Sequence, residues 1–378
     1  MPKGDLPRGR EVCTMTPAEP RTAHPFYMYD AMREQPDAFA AVAARTAPAA
    51  GAITARLARC DRLYLVGIGT SYHAALAGEH LVRTYGGGMP VYAAHAFDFA
   101  LYGPPLGPGD AVVTVTHRGT KRYTLDALVR AREAGCPTVV ITGDGPDDRA
   151  GADLVLNTVP QERSSTHTVS YAGAVAALSV VAAQVGAARL GRPALDPALL
   201  RDAVPAALRS ALALEPEIAG HARALAAGPR IWLVGGGPGA IAAIEGALKI
   251  KETSYATAEG MSAEAMLHGP FQSAEPEDLF LLIAQAGSAQ RRVADVAAAA
   301  REIGARLVVV DDGTATIPAE ALAARWSVPA VPEPFTALTC AVPLQLFSYH
   351  LALARGTNPD SFRLDDPRFL RAYRRVTL

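Results

Sequence analysis

What most constrains this chain is a recurring succession of short apolar run, glycine turn and helical pattern. Leu63–Val66 runs into Gly67-Ile68-Gly69-Thr70-Ser71, with a helix from Tyr72. Ile231–Val234 runs into Gly235-Gly236-Gly237-Pro238-Gly239, with a helix from Ala240 to Tyr255. Apolar runs of this length, alternating with longer helical patterns, imply strands buried on both faces of a parallel sheet. Further strands are expected at Pro90–Ala94, Ala111–Val115, Thr138–Thr142 and Asp153–Val159, with helices at Tyr123–Ala134 and Tyr171–Leu190. A Pro-rich break at 191–205 reads as a linker. The pattern then begins again, with strands at Leu279–Ile283, Arg306–Val310 and Trp326–Pro329 and a helix from Pro343 to Arg355. The restart implies an internal duplication despite low identity between the halves. The expected class is α/β, with doubly wound parallel sheets.

A chain of 378 residues predicts two domains, and with half its residues hydrophobic it has material for sizeable cores. The formal net charge of −1 gives no global field to attract nucleic acid or an anionic membrane, so neither is expected as a partner. A small anionic substrate would need a local cationic site. Cys13, Cys60, Cys136 and Cys340 form no CxxC pair, and the histidines have no ligand-like spacing. Free buried thiols in a cytoplasmic protein, with no metal and no cofactor, are the expectation. Residues 1–24 are polar and proline-rich and read as a flexible arm without the apolar core of a signal peptide. No uninterrupted apolar run is read as long enough to span a bilayer.

The chemistry concentrates between Ile244 and Pro270. Glu245, Lys249 and Glu252 stand at i, i+4 and i+7 and share a helix face, and His268 precedes a Gly-Pro stop. A carboxylate base, a cation and an imidazole are the parts needed to move a proton beside a sugar carbonyl. An exposed helix with a Glu245–Lys249 ion pair would give the same spacing. Gly69, Thr70 and Ser71 sit where a helix N-terminus would cradle a phosphate, or where Thr and Ser simply cap the helix. The turn at Gly235–Gly239 reads as a plain turn. After the third strand come Thr116, His117, Arg118, Gly119, Thr120 and Lys121, with up to three positive charges. They read as an anion site, or else as a solvated basic loop.

Four ordered segments carry a resemblance: HPFYMYDAMREQPDAF, GIGTSYHAALAGEHL, the Ile244–Pro270 run, and VPLQLFSYHLALARGTNPD. Together they resemble tandem sugar isomerase (SIS) domain proteins, as in the isomerase half of glucosamine-fructose-6-phosphate aminotransferase. The resemblance implies two SIS domains, each a five-stranded parallel sheet flanked by helices. They would span 25–190 and 206–345, followed by a closing helix and tail at 346–378. It implies Glu252 as the proton-shuttling base with Lys249 beside it, and Thr70 and Ser71 near the sugar. It implies His268 as a ring opener entering the neighbouring subunit, hence a homodimer. Three departures stand out. The basic loop 116–121 replaces a family Ser-Gln-Ser-Gly-Glu-Thr. His167-Thr168-Val169 replaces a Ser-Thr-Lys triplet, with only Thr168 retained in kind. The stretch Arg371–Thr377 has no lysine, so Arg374 is the best-aligned residue to clamp the substrate. Pro2 follows Met1 and fewer than thirty residues precede the first SIS segment, so no glutaminase is expected and ammonia would need a separate source. The resemblance thus implies an aldose–ketose isomerase and deaminase acting on a phosphorylated amino sugar resembling glucosamine-6-phosphate. The alternatives are an aminating or simple phosphosugar isomerase using external ammonia, and a non-catalytic sugar-phosphate-binding regulator.

Overall fold

Helices join most of the apolar runs, and such crossovers bring successive strands into parallel pairing. The computed structural model of the chain describes residues 19–145, 151–228 and 230–376. Among the described residues the strands form two five-stranded parallel sheets. The first comprises β1 (Arg62–Gly67), β2 (Val91–His95), β3 (Asp110–Thr116), β4 (Thr138–Thr142) and β5 (Leu154–Asn157), in the order β2-β1-β3-β4-β5. The second comprises β6 (Ile231–Gly235), β7 (Ala258–Ser262), β8 (Leu279–Ile283), β9 (Arg306–Asp311) and β10 (Ala324–Ser327). Its order, read from β7, is β7-β6-β8-β9-β10. The two successions are the same. Registers match as well: Leu65 sits opposite Ala93 and Val113, and Leu233 opposite Gly260 and Leu281.

The helices, in chain order, are α1 (Tyr27–Leu57), α2 (Thr70–Tyr85), α3 (Ala96–Tyr102), α4 (Arg122–Glu133), α5 (Val169–Leu190), α6 (Val204–Leu212) and α7 (Glu215–Ala224). They continue with α8 (Pro238–Ser254), α9 (Ala263–Leu267), α10 (Gln290–Glu302), α11 (Thr336–Thr339), α12 (Ala341–Ala354) and α13 (Pro367–Tyr373). One continuous core joins the facing sides of the two sheets, with Leu65 and Val113 in the same cluster as Leu233 and Leu281. The outer faces carry smaller cores beneath α3 and α4 in the first half and beneath α9 and α10 in the second. Helix α1 lacks a cap of its own at Phe26. Asp360 supplies one from the far end of the chain, accepting the Tyr27 and Met28 N–H groups at 2.8 and 2.9 Å.

Several elements differ from the sequence expectations. Strand β7 was not expected, because Ala-Glu-Gly-Met-Ser has neither an apolar run nor β-branched residues. It forms because β6 offers a free edge and Gly260 lets the backbone lie against α8; a Cβ there would come within 2.4 Å of the Ala243 carbonyl. The 191–205 break is helical from Pro197, and a π-turn (Leu199–Ala203) runs into α6. Pro205 stands just after the π-turn, inside a helical stretch that continues to Leu212. Helix α12 starts at Ala341, so a division at 345/346 falls inside it. Of the arm expected over 1–24, residues 1–18, including Cys13, lie outside the described residues. Cys60, Cys136 and Cys340 are free and buried.

The membrane expectation also needs correction. By length and composition, the stretches Tyr27–Leu57, Val169–Leu190 and Glu333–Ala354 are each long and apolar enough to cross a membrane. Alanine raises their mean hydropathy while allowing close helix packing. The latter two stretches are 78% and 83% buried over their apolar windows. A helix that is apolar on all sides fits a buried core position as well as a bilayer.

Candidate active site

The β1–α2 turn aims the first half's polar groups at the second. Gly69 adopts φ 57° and ψ −131°, and Gly237 repeats this geometry in the β6–α8 turn at 52° and −127°. These backbone angles suit glycine alone. At Gly67 a Cβ would meet the Ser71 carbonyl oxygen at 2.4 Å. We expect Gly67→Ala to shift this turn and lower stability by about 1–3 kcal/mol. Thermal melting checks this; an unchanged midpoint would mean the turn gives way freely.

From that turn Thr70, the first residue of α2, faces α8. Its hydroxyl accepts from Lys249 Nζ at 2.9 Å and donates to Glu245 Oε1 at 3.3 Å. One turn along, His73 Nδ1 lies 2.6 Å from Glu245 Oε2. On α8 the expected i, i+4, i+7 face is the one that meets α2. Lys249 Nζ lies 2.8 Å from Glu252 and 3.5 Å from Glu245, so its three donors find Thr70 and two carboxylates. An exposed i,i+4 pair is therefore ruled out: Lys249 and Glu245 are 1% and 0% exposed.

Electrostatics separate the two carboxylates. Burial pushes Glu245 up, but Lys249 and His73 outweigh it and hold Glu245 below its ordinary value. Burial also pushes Glu252 up; Lys249 offsets this only in part, and the nearby Glu245 charge adds to it, so Glu252 stays above its ordinary value. Burial would lower Lys249, yet Glu245 and Glu252 together hold it above its ordinary value and keep it charged. Glu252 is thus a carboxylate with raised basicity beside a fixed cation. It is the member of the set that reaches a groove, lined also by Lys251, Tyr255, Glu259, Arg363 and Tyr373.

Ser71 faces a different, small pocket with His117, Thr142, His167 and Ser170. His117 Nε2 accepts the Glu162 backbone N–H at 2.9 Å, so the ring is neutral at that nitrogen. The His167 ring packs edge-on against it, with centroids 4.8 Å apart, and burial holds His167 well below its ordinary value. This corrects the count of charges in the basic loop. His117 is a buried neutral ring, leaving Arg118, which is exposed, and Lys121, which is half-buried and lowered by burial and by Arg118. The Thr116 hydroxyl accepts the Gly119 N–H at 3.3 Å and closes the turn, with Gly119 at φ 66°; Thr120 is exposed. Thr168 is buried at the start of α5, where its N–H and that of Ser170 reach the Glu162 carboxylate.

Two expected residues lie apart from Lys249. His268 is exposed after α9 and bonds Glu264 at 3.0 Å, which in turn pairs with Arg292. Arg374 is exposed beyond α13; the tail residues that line the Glu252 groove are Phe362, Arg363, Phe369 and Tyr373. His73, Glu162 and Arg363 went unread in the sequence. His73 had a signal, because it stands three residues after Thr70 on the same helix face. Glu162 and Arg363 had none, since only the tertiary fold brings them to the site. Among the described residues no group of three His, Cys, Asp or Glu side chains is placed to hold a metal ion.

The SIS domain family profile matches residues 56–185 and 224–355. The isomerizing glutamine–fructose-6-phosphate aminotransferase of Halobacterium salinarum is 31% identical over 317 residues, covering 82% of this chain and 52% of that protein. The chain spans about half the length of the curated relatives it matches. Among solved structures, the C-terminal domain of glucosamine-fructose-6-phosphate aminotransferase from Francisella tularensis superposes with a TM-score of 0.81 at 19% identity, covering 89% of this chain and 98% of that one. Glucosamine-6-phosphate deaminase from Thermotoga maritima superposes with a TM-score of 0.68 at 18% identity, covering 89% and 97%. At these identities the superpositions speak for the fold alone.

Proposed function

The chain belongs to the SIS domain family, and on that premise we propose that it is a phosphosugar isomerase acting on a phosphorylated amino sugar of the glucosamine-6-phosphate kind, with release of ammonia. The observation that carries this reading is the Glu252 carboxylate, held 2.8 Å from buried Lys249 at the edge of an open groove. With the sugar in its open-chain aldose form, Glu252 takes the proton from C2. The electron pair forms a C1–C2 double bond and the carbonyl oxygen takes up a proton, giving an enolamine. Glu252 returns its proton to C1, the nitrogen loses one, and C2 becomes a ketimine. Water adds to the ketimine carbon and ammonia leaves, giving the ketose phosphate. Lys249 favours the ionised form of buried Glu252 and offsets part of its burial, and Glu245, Thr70 and His73 keep Lys249 in place. Ring opening falls to His268 of the partner subunit, so the smallest active unit is a homodimer. Ser71, Arg118 and Lys121 contact the sugar from the side of the first domain.

A regulator that binds a sugar phosphate without turnover is the second reading. The neutral His117–His167 pair favours it, since the two rings stand where the resemblance places a glutamine and a serine beside the sugar phosphate. The test is an assay of purified protein with glucosamine-6-phosphate. Ammonia and fructose-6-phosphate are expected in equal amounts. Binding of the sugar phosphate with neither product would replace catalysis by ligand sensing.

A further inference from the structure

The C-terminal tail crosses the groove beside Glu252 in an unusual backbone conformation. Phe362 and Arg363 are consecutive left-handed residues, at φ 49° and 60°, and Tyr255 at the end of α8 is a third, at 57°. Among the described non-glycine residues only Glu277 shares this backbone region, so three of the four such positions line one groove. Left-handed backbone at bulky residues costs free energy and persists where its surroundings over-determine it, which happens disproportionately at ligand sites. The tail is pinned just upstream. The Thr357 hydroxyl donates to the Thr253 carbonyl at 2.7 Å, the Thr166 hydroxyl to the Pro359 carbonyl at 2.8 Å, and Asp360 caps α1.

What this conformation presents to the groove is a guanidinium. Arg363 lies over the Phe369 ring at 4.1 Å from its centroid and over the Tyr255 ring at 4.9 Å. Stacking on rings orients the group and leaves its in-plane N–H donors available. Among the described residues those side-chain donors have no hydrogen-bond partner. Asp366, whose carboxyl feels the Arg363 charge, is bonded to Arg368 instead. Lys251 lines the same groove, but it is exposed and no described ring orients it. A half-buried, ring-oriented guanidinium with unused donors matches the planar, two-point geometry of an oxyanion.

We infer that Arg363 is an oxyanion anchor, binding the phosphate or carboxylate of a sugar-derived ligand in the groove that holds Glu252. This contact is separate from Arg118 and Lys121. It rests on the proposed function only in taking this groove as the substrate's. Calorimetric titration of the full-length protein with fructose-6-phosphate, gluconate and fructose tests it, the first two distinguishing a phosphate from a carboxylate. One or both anionic probes should bind more tightly than neutral fructose. Arg363→Gln should weaken that binding roughly 10- to 100-fold and leave fructose binding unchanged. Arg363→Lys should recover part of the loss, and Phe369→Leu, which keeps the charge but loses a ring, should show a smaller one. A merely structural role would lower melting temperature and weaken all three ligands alike. Unchanged anion binding by Arg363→Gln, or no preference of the native protein for either anion over fructose, would overturn the inference. The isomerase reading is judged separately, by turnover that depends on Glu252.

Discussion

Glu252→Gln should lose turnover of glucosamine-6-phosphate by roughly 10²- to 10⁴-fold in kcat, the range that a positioned proton-transfer group contributes. The substitution keeps shape and removes only the basic oxygen. Binding should persist, because Lys249 retains Glu245 and Thr70 as partners. The pH profile of the native protein should carry the same signature. Burial raises the Glu252 carboxyl, and the proposed mechanism needs it ionised. Activity should therefore rise with pH through a midpoint above the ordinary carboxylate range, and Glu252→Gln should abolish that limb. Calorimetry beside steady-state kinetics separates the outcomes. A variant that turns over normally would remove Glu252 from the chemistry.

The second large effect is on stability. Lys249→Met keeps the length of the side chain and removes its charge from a site 1% exposed. Glu245, 0% exposed, would keep only Thr70 and His73 as described partners. Leaving a buried charge without its counter-ion costs about 3–5 kcal/mol. The pH dependence has a definite sign. In the native protein Glu245 is held below its unfolded value, so its stabilisation is present above that value and is lost as pH falls through the native one. In the variant the same carboxyl is expected to rise instead, so the penalty is relieved as acid protonates it. The gap between the two proteins should narrow as pH is lowered. Urea unfolding midpoints measured from neutral to mildly acidic pH check this. A constant gap, or none, would mean the cluster is not held by the Lys249 charge.

Much of this architecture was legible because parallel sheets covered on both faces leave a strong mark. The run Asp110–Thr116 is buried along its whole length, and its apolar residues could be read directly. Strand β7 was illegible because what makes it a strand is a neighbour's free edge and the closeness of α8, not its own side chains. Pro205 misled because a proline reads as a break, yet here it stands just after a π-turn inside a continuing helical stretch. The α8 cluster was legible as a shared helix face, but spacing alone could not distinguish a solvated pair from a buried one. Contact with α2 decides that, through Thr70 and His73, residues more than 170 positions away. The basic loop was the reverse case. Its composition reads as charge, yet a single backbone N–H from Glu162 makes His117 a neutral acceptor. The groove-lining face of the tail, with Arg363 rather than Arg374, depends on left-handed backbone at Phe362 and Arg363 that no residue-type rule anticipates.

The account's central claim is that Glu252 moves a proton between adjacent carbons of a phosphosugar. The most direct measurement is proton NMR of fructose-6-phosphate and ammonium incubated with the protein in deuterated water. The account predicts deuterium at C1 with the native protein and none beyond background with Glu252→Gln. Binding of fructose-6-phosphate with no exchange by the native protein, or equal exchange by both proteins, would contradict it.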